Sequence, residues 1–286
     1  VSGRSSDNGA APTGDAFEAG DEPELHELSA AVAAAWEAID AGEPARALGG
    51  LATSGEDSAE RWLAECAAAT ALTDFRAAER ALARASGELE ADEPALLHAR
   101  GELALARWQL EEAERAFAEL VAEADEPSAC ERLALLADLR GDAAAADRWL
   151  ARAHALDPHT PLPPRLDARE FERAVETAAS RLPPAFRTRF ETLPVILDAV
   201  PTRALAARGA PGEVPPDLLG LFCGPSAVEE VGSAEMPPAI YLFQRNLERV
   251  CADRDELLRE IEVTLLHELG HALGFDEDGV DELGLH

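Results

Sequence analysis

Between about residue 28 and residue 158, apolar side chains recur every third and fourth position. That is the period of helices that bury one face. The segments are short, come in pairs and hold little Gly or Pro. Ala47, Ala78, Ala113 and Ala146 mark successive pairs and are separated by 31, 35 and 33 positions. Four residues after each stands a large apolar residue, Leu51, Leu82, Phe117 or Leu150. Three beyond those stand Ser54, Ala85, Leu120 and Ala153. Repetition at this period predicts stacked antiparallel helix pairs, since one pair alone cannot bury its apolar face. The last unit, GDAAAADRWLARAHALDP, is the cleanest, with Gly141 in its turn and Pro158 closing its second helix. The second unit carries Trp62 near its start, and the third carries Gly101 in its first helix.

The texture changes after DPHTPLPP, at 157–164. Proline blocks helix continuation and stiffens a linker, so the domain boundary is placed here, with the linker at 159–166. A helix is expected over 167–181, followed by a Pro-Pro break at 183–184. TLPVILDAV (192–200), LLGLFCG (218–224) and AIYLF (239–243) read as strands bounded by Gly or Pro, and GAPGEVPPD (209–217) reads as a loop. The last long helix runs from Asp253 to about Leu273, and Glu256 three residues after Asp253 fits an N-terminal cap. Residues 1–25 are rich in Ser, Gly, Asp, Glu and Pro, lack an apolar period and read as a disordered acidic tail. The expectation is an all-α repeat solenoid over 26–158, then a small α+β domain over 167–286.

The 26–158 region resembles the tetratricopeptide repeat, which spends about 34 residues on each helix pair. In that pattern the small Ala lets paired helices approach and the large residue fills the groove against the next pair. The resemblance implies a concave face suited to recruiting a protein substrate or partner.

Charge narrows the partners. The chain has 286 residues, with 56 acids against 25 bases, every base is Arg, and the formal net charge is -31. Such a chain repels phosphate, so neither nucleic acid nor an anionic membrane is expected as a partner. No apolar run reaches the ~18 residues of a membrane span, and no signal peptide is visible. Cys66, Cys130, Cys223 and Cys251 are widely spaced without a CxxC pair, which reads as buried thiols and a cytoplasmic setting.

Chemistry concentrates in the last helix, in TLLHELGHALGFDEDG. His267 and His271 are four residues apart, so they project from nearly one face, one turn apart. That separation lets two imidazoles share one Zn²⁺ at ~2.0–2.1 Å each. Glu268 lies about 100° round the helix, where it reaches a water beside the metal and serves as general base. Gly274 suits the left-handed turn that ends a helix. Asp276, Glu277 and Asp278 follow at once. Glu277 stands ten residues after His267, the spacing of the last ligand in HExxHxxGxxH enzymes. Asp276 is its close competitor, Asp278 a weaker candidate and His286 a more distant one.

The segment from about 168 to 285 resembles the minimal zincin-like metallopeptidases of bacteria. The likeness rests on FERAVETAASRLPPAFRTRFETLPVILDAVP, on LLGLFCG with PPAIYLFQRNLERVCADRDELLREI, and on TLLHELGHALGFDEDGVDELGL. It implies a small sheet with the HExxH helix packed on it. It also implies zinc held by His267, His271 and an acid after Gly274, with Glu268 as the catalytic carboxylate. Members commonly carry Asp at the position of Glu277; here that position is Glu, with Asp276 beside it. The implied activity is zinc-dependent peptide-bond hydrolysis. The alternative is a non-catalytic repeat scaffold whose zinc site is structural or relict.

Other positions carry open readings. AIYLF is either an edge strand that pairs with an extended substrate or a core strand. Tyr241, the single Tyr of the chain, either packs or faces the cleft as an oxyanion donor. Cys223 either packs or approaches the metal. Arg245, Glu248 and Arg249 recur at helical spacing and read as a solvated face.

Overall fold

A computed structural model describes residues 29–208, 214–224 and 237–275. The expected tail, 1–25, lies outside the described residues. Eight helices form four antiparallel pairs: α1 (Ala30–Asp40) with α2 (Pro44–Ser54), α3 (Ala59–Ala71) with α4 (Phe75–Ala85), α5 (Pro94–Ala106) with α6 (Leu110–Ala124), and α7 (Pro127–Leu139) with α8 (Ala143–Leu156). Their starts follow from local chemistry. Ser29, Ser58, Asp74 and Asp142 accept a hydrogen bond from the first turn, and α2, α5 and α7 open on proline.

The turn inside each pair is the same. Gly42, Thr73, Trp108 and Gly141 take left-handed backbone, with φ of 73°, 58°, 57° and 76°. These positions keep the 31, 35 and 33 spacing of the small alanines. In each turn two backbone N–H groups donate to carbonyls at the end of the preceding helix, as from Trp108 to Leu105 and from Gln109 to Ala104. Ala47, Ala78, Ala113 and Ala146 are buried where paired helices meet. Gly101 on α5 lies against Phe117 of α6, and a Cβ there would sit 2.5 Å from the Phe117 ring.

The second half is α+β. It comprises α9 (Ala168–Arg181), α10 (Pro184–Phe190), β1 (Val195–Asp198), α11 (Arg203–Ala206), β2 (Gly220–Cys223), β3 (Ala239–Phe243), α12 (Gln244–Arg249) and α13 (Arg254–Leu273). The sheet order is β1-β3-β2, with β1 parallel and β2 antiparallel to β3. AIYLF is therefore the central strand, and β2 is an edge. Alternation splits the two faces of β3. Ile240 and Leu242 pack with α9 and α13 around Phe171, Leu257, Ile261, Leu265 and Leu269. Tyr241 and Phe243 turn to the other face, with Leu205, Val214 and Cys223.

The two halves meet through buried polar groups. Asp138 of α7 accepts from Arg249 of α12 at 2.7 Å, and Arg165 sits 3.4 Å from the same oxygen. Glu248 accepts from the Leu166 N–H at 3.0 Å, from Gln244 at 2.7 Å and from Arg245 at 2.6 Å. Arg132 of α7 bridges Glu102 and Asp217 at 2.7 and 3.2 Å, and the Trp108 indole donates to the Val214 carbonyl at 2.9 Å. The expectation of a solvated face is thus corrected, because Glu248 is 0% exposed. Spacing says which residues share a face; here the helical repeats and the chain at 165–166 cover it.

Among the described residues no helix is long and apolar enough to cross a membrane. All four cysteines are buried. Burial pushes the Cys66 thiol up to about 11 and that of Cys251 up to about 12. Both are neutral thiols near pH 8, so iodoacetamide should label the native chain slowly and the denatured chain fast. Mass spectrometry of labelled peptides checks this, and rapid native labelling of both would contradict their burial. Gly101→Ala should destabilise the chain by about 1–3 kcal/mol through overpacking against Phe117, read from denaturant melts.

Candidate metal centre

The site is built on α13. Asp253 caps its start by accepting from the Glu256 N–H, while the Glu256 carboxylate takes the N–H of Ala252 at 2.6 Å. Leu257, Ile261, Leu265, Leu269 and Ala272 form the buried stripe that seats the helix against the sheet and α9. Arg189 of α10 donates to the Ala272 carbonyl at 3.4 Å, near the helix end where carbonyls lack helical partners. That seating turns His267 and His271 to a partly exposed face and leaves Glu268 buried.

Gly274 ends the helix with φ 99°, and the Phe275 N–H donates back to Gly270. This turn carries the Phe275 carbonyl beneath His271, whose Nδ1 lies 3.1 Å from it. A proton on Nδ1 satisfies that carbonyl and makes Nε2 the nitrogen that would meet a metal. The His267 and His271 Nε2 atoms stand 3.0 Å apart with rings at 78°. Two nitrogens on one tetrahedral zinc are about 3.3 Å apart, so the pair fits that ion with little movement. Among the described residues no third His, Cys, Asp or Glu completes a cluster with them. The third-ligand candidates Asp276, Glu277 and Asp278, and also His286, lie outside the described residues.

Glu268 is held from the sheet. Its Oε2 accepts from the Phe222 N–H of β2 at 2.5 Å. Leu219 accepts from the Phe243 N–H, so residues 219 and 221 face β3 while 220 and 222 turn their backbone groups to the open edge. Gly220 makes the approach possible, since a Cβ there would lie 2.5 Å from Thr264 Cγ2 and 3.2 Å from Glu268. A cleft of about 270 Å³ runs beside the pair, lined by Leu218, Leu219, Gly220, Glu260, Val263, Thr264, His267 and Glu268. Burial, and then Glu256, raise the pKa of Glu260.

The structure therefore brings together His267, His271 and Glu268. Tyr241 and Cys223 lie on the face of the sheet away from α13, so neither reaches the histidines. Gly220 and the Phe222 amide were not foreseen in the sequence. The available signal was a glycine inside an expected strand, which marks close approach by another element.

Residues 190–285 match the family model of zincin-like metallopeptidases, so this part of the chain carries a zincin-like metallopeptidase domain. No curated protein matches the chain. The helical first half, with its recurring turn, is consistent with a repeat domain.

His267→Ala or His271→Ala should each strip zinc from the purified, dialysed chain. Elemental analysis checks this, and about one zinc per chain retained in both variants would overturn the ligand assignment.

Proposed function

We propose that the chain is a zinc-dependent peptidase whose helical repeats recruit a protein substrate or partner. The observation that carries this reading is the joint placement of two converging Nε2 atoms and a carboxylate fixed at an open strand edge. His267 and His271 would hold the metal, with Glu277 as the third ligand and Asp276 as its alternative. Bound zinc supplies a Lewis acid that polarises a carbonyl and lowers the pKa of water towards about 7.

The chain's own groups do the rest. An extended peptide lies along β2, where the Gly220 backbone groups and the Phe222 carbonyl orient it by strand addition, the Phe222 N–H being held by Glu268. The side chain next to the scissile bond enters the cleft beside Thr264. Glu268 takes a proton from the attacking water and returns it to the leaving amine. Its contact with the Phe222 N–H fixes the carboxylate for that transfer. Four buried cysteines support a cytoplasmic setting for this chemistry.

Glu268→Gln keeps the shape of the side chain and removes the base. It should retain zinc and lose at least about a hundredfold in peptide cleavage, the usual weight of general base catalysis. Cleavage of a peptide library at the wild-type rate by this variant would overturn the mechanism.

A further inference from the structure

One of the places where the helical repeats touch the second half is Val214–Leu219, which runs directly into β2. Three contacts converge on it. The Trp108 indole N–H donates to the Val214 carbonyl at 2.9 Å. Arg132, anchored on Glu102, reaches Asp217 at 3.2 Å. The third is indirect. Asp138 holds Arg249 at 2.7 Å, and Arg249 donates to Asn246 Oδ1 at 2.9 Å. With its oxygen taken, Asn246 turns both amide hydrogens outward, to the carbonyls of Pro216 at 3.0 Å and Leu218 at 2.8 Å. Asn246 is buried, so these bonds have no competing water.

Four residues beyond Leu218 the Phe222 N–H grips Glu268. Hydrogen bonds from α7 to Leu218, and then four residues of chain to Phe222, thus link the repeats to Glu268. Trp108 shows that the contact is more than incidental. Its position in the turn is filled by Gly42 and Gly141 in the first and last pairs, residues that take left-handed backbone without strain. Thr73 and Trp108 hold left-handed backbone there too, at φ 58° and 57°, and the large Trp108 side chain reaches the other half of the chain.

We infer that Trp108, Arg132 and Asp138 are positioning residues for the proposed reaction. The repeats hold the segment leading into β2, and so set where the substrate-binding edge and Glu268 stand. This rests on the peptidase reading for its effect on turnover, and on the hydrogen bonds to Val214, Asp217 and Leu218 for its effect on the strand.

The test uses the full chain and compares Trp108→Phe and Trp108→Gly with wild type. The first removes only the N–H, and the second keeps the turn while removing the side chain. Arg132→Gln is the second site. Arg140→Gln is the control, since it breaks the exposed pair with Glu114 inside the repeats. Amide exchange at 220–223 should speed up about five- to tenfold in Trp108→Phe, the factor one net hydrogen bond is worth. It should rise further in Trp108→Gly, rise in Arg132→Gln and stay unchanged in Arg140→Gln. Zinc content should hold in all four, because His267 and His271 are seated by the α13 core. In the three interface variants kcat should fall with KM little changed. Wild-type exchange at 220–223 in both Trp108 variants overturns the inference, as does faster exchange with unchanged kcat. A wild-type chain that binds zinc but cleaves no peptide sinks the peptidase reading instead, and the exchange data then decide the inference alone.

Discussion

A carboxylate cut off from water must be matched by donors, and two such groups determine how this chain is assembled. Asp138 and Glu248 are both buried and sit on opposite sides of the junction between helical repeats and sheet. Asp138 draws Arg249 and Arg165 to itself; Glu248 draws Arg165, Arg245, Gln244 and the Leu166 amide. Against an apolar replacement such pairs contribute little net stability, yet stranding one charge costs about 3–5 kcal/mol. Their effect is selective. The observed placement of α7, α12 and the chain at 165–166 satisfies both acids and sets the approach to β2.

The sheet shows why such help is needed. Among the described residues three strands of four or five residues form a small platform, and β2 has one strand neighbour. A short edge strand opens readily unless something outside the sheet restrains it. Here the restraint comes from α13 on one side, through Gly220 and Glu268, and from the Val214–Leu219 segment on the other. The carboxylate and the strand hold each other, so neither is placed independently.

What was legible in the sequence was local. The 31, 35 and 33 spacing marked the helix pairs, and Asp253, Gly274 and the four-residue step between histidines marked α13 and the face that His267 and His271 share. These are properties of one helix or one turn. The strand spans were legible from β-rich runs between Gly and Pro, but their order was not. AIYLF is apolar at all five positions, as a strand buried on both faces must be, yet such a run fits a covered edge as well. Arg245, Glu248 and Arg249 were misread for the same reason. Their burial depends on Asp138, more than a hundred residues earlier, and no spacing rule spans that distance. Gly220 belongs to this class too, since its meaning comes from Thr264 and Glu268.

The place of the histidines on α13 has a further consequence. They occupy the last two turns of a 20-residue helix, where aligned peptide dipoles amount to about half a negative charge. The whole chain adds a net charge of -31. The local and global fields share a sign, so the potential at that end favours cations over anions. Added salt shortens the reach of both fields, to about 3 Å at 1 M, so the charge felt from outside that end depends on the ionic medium.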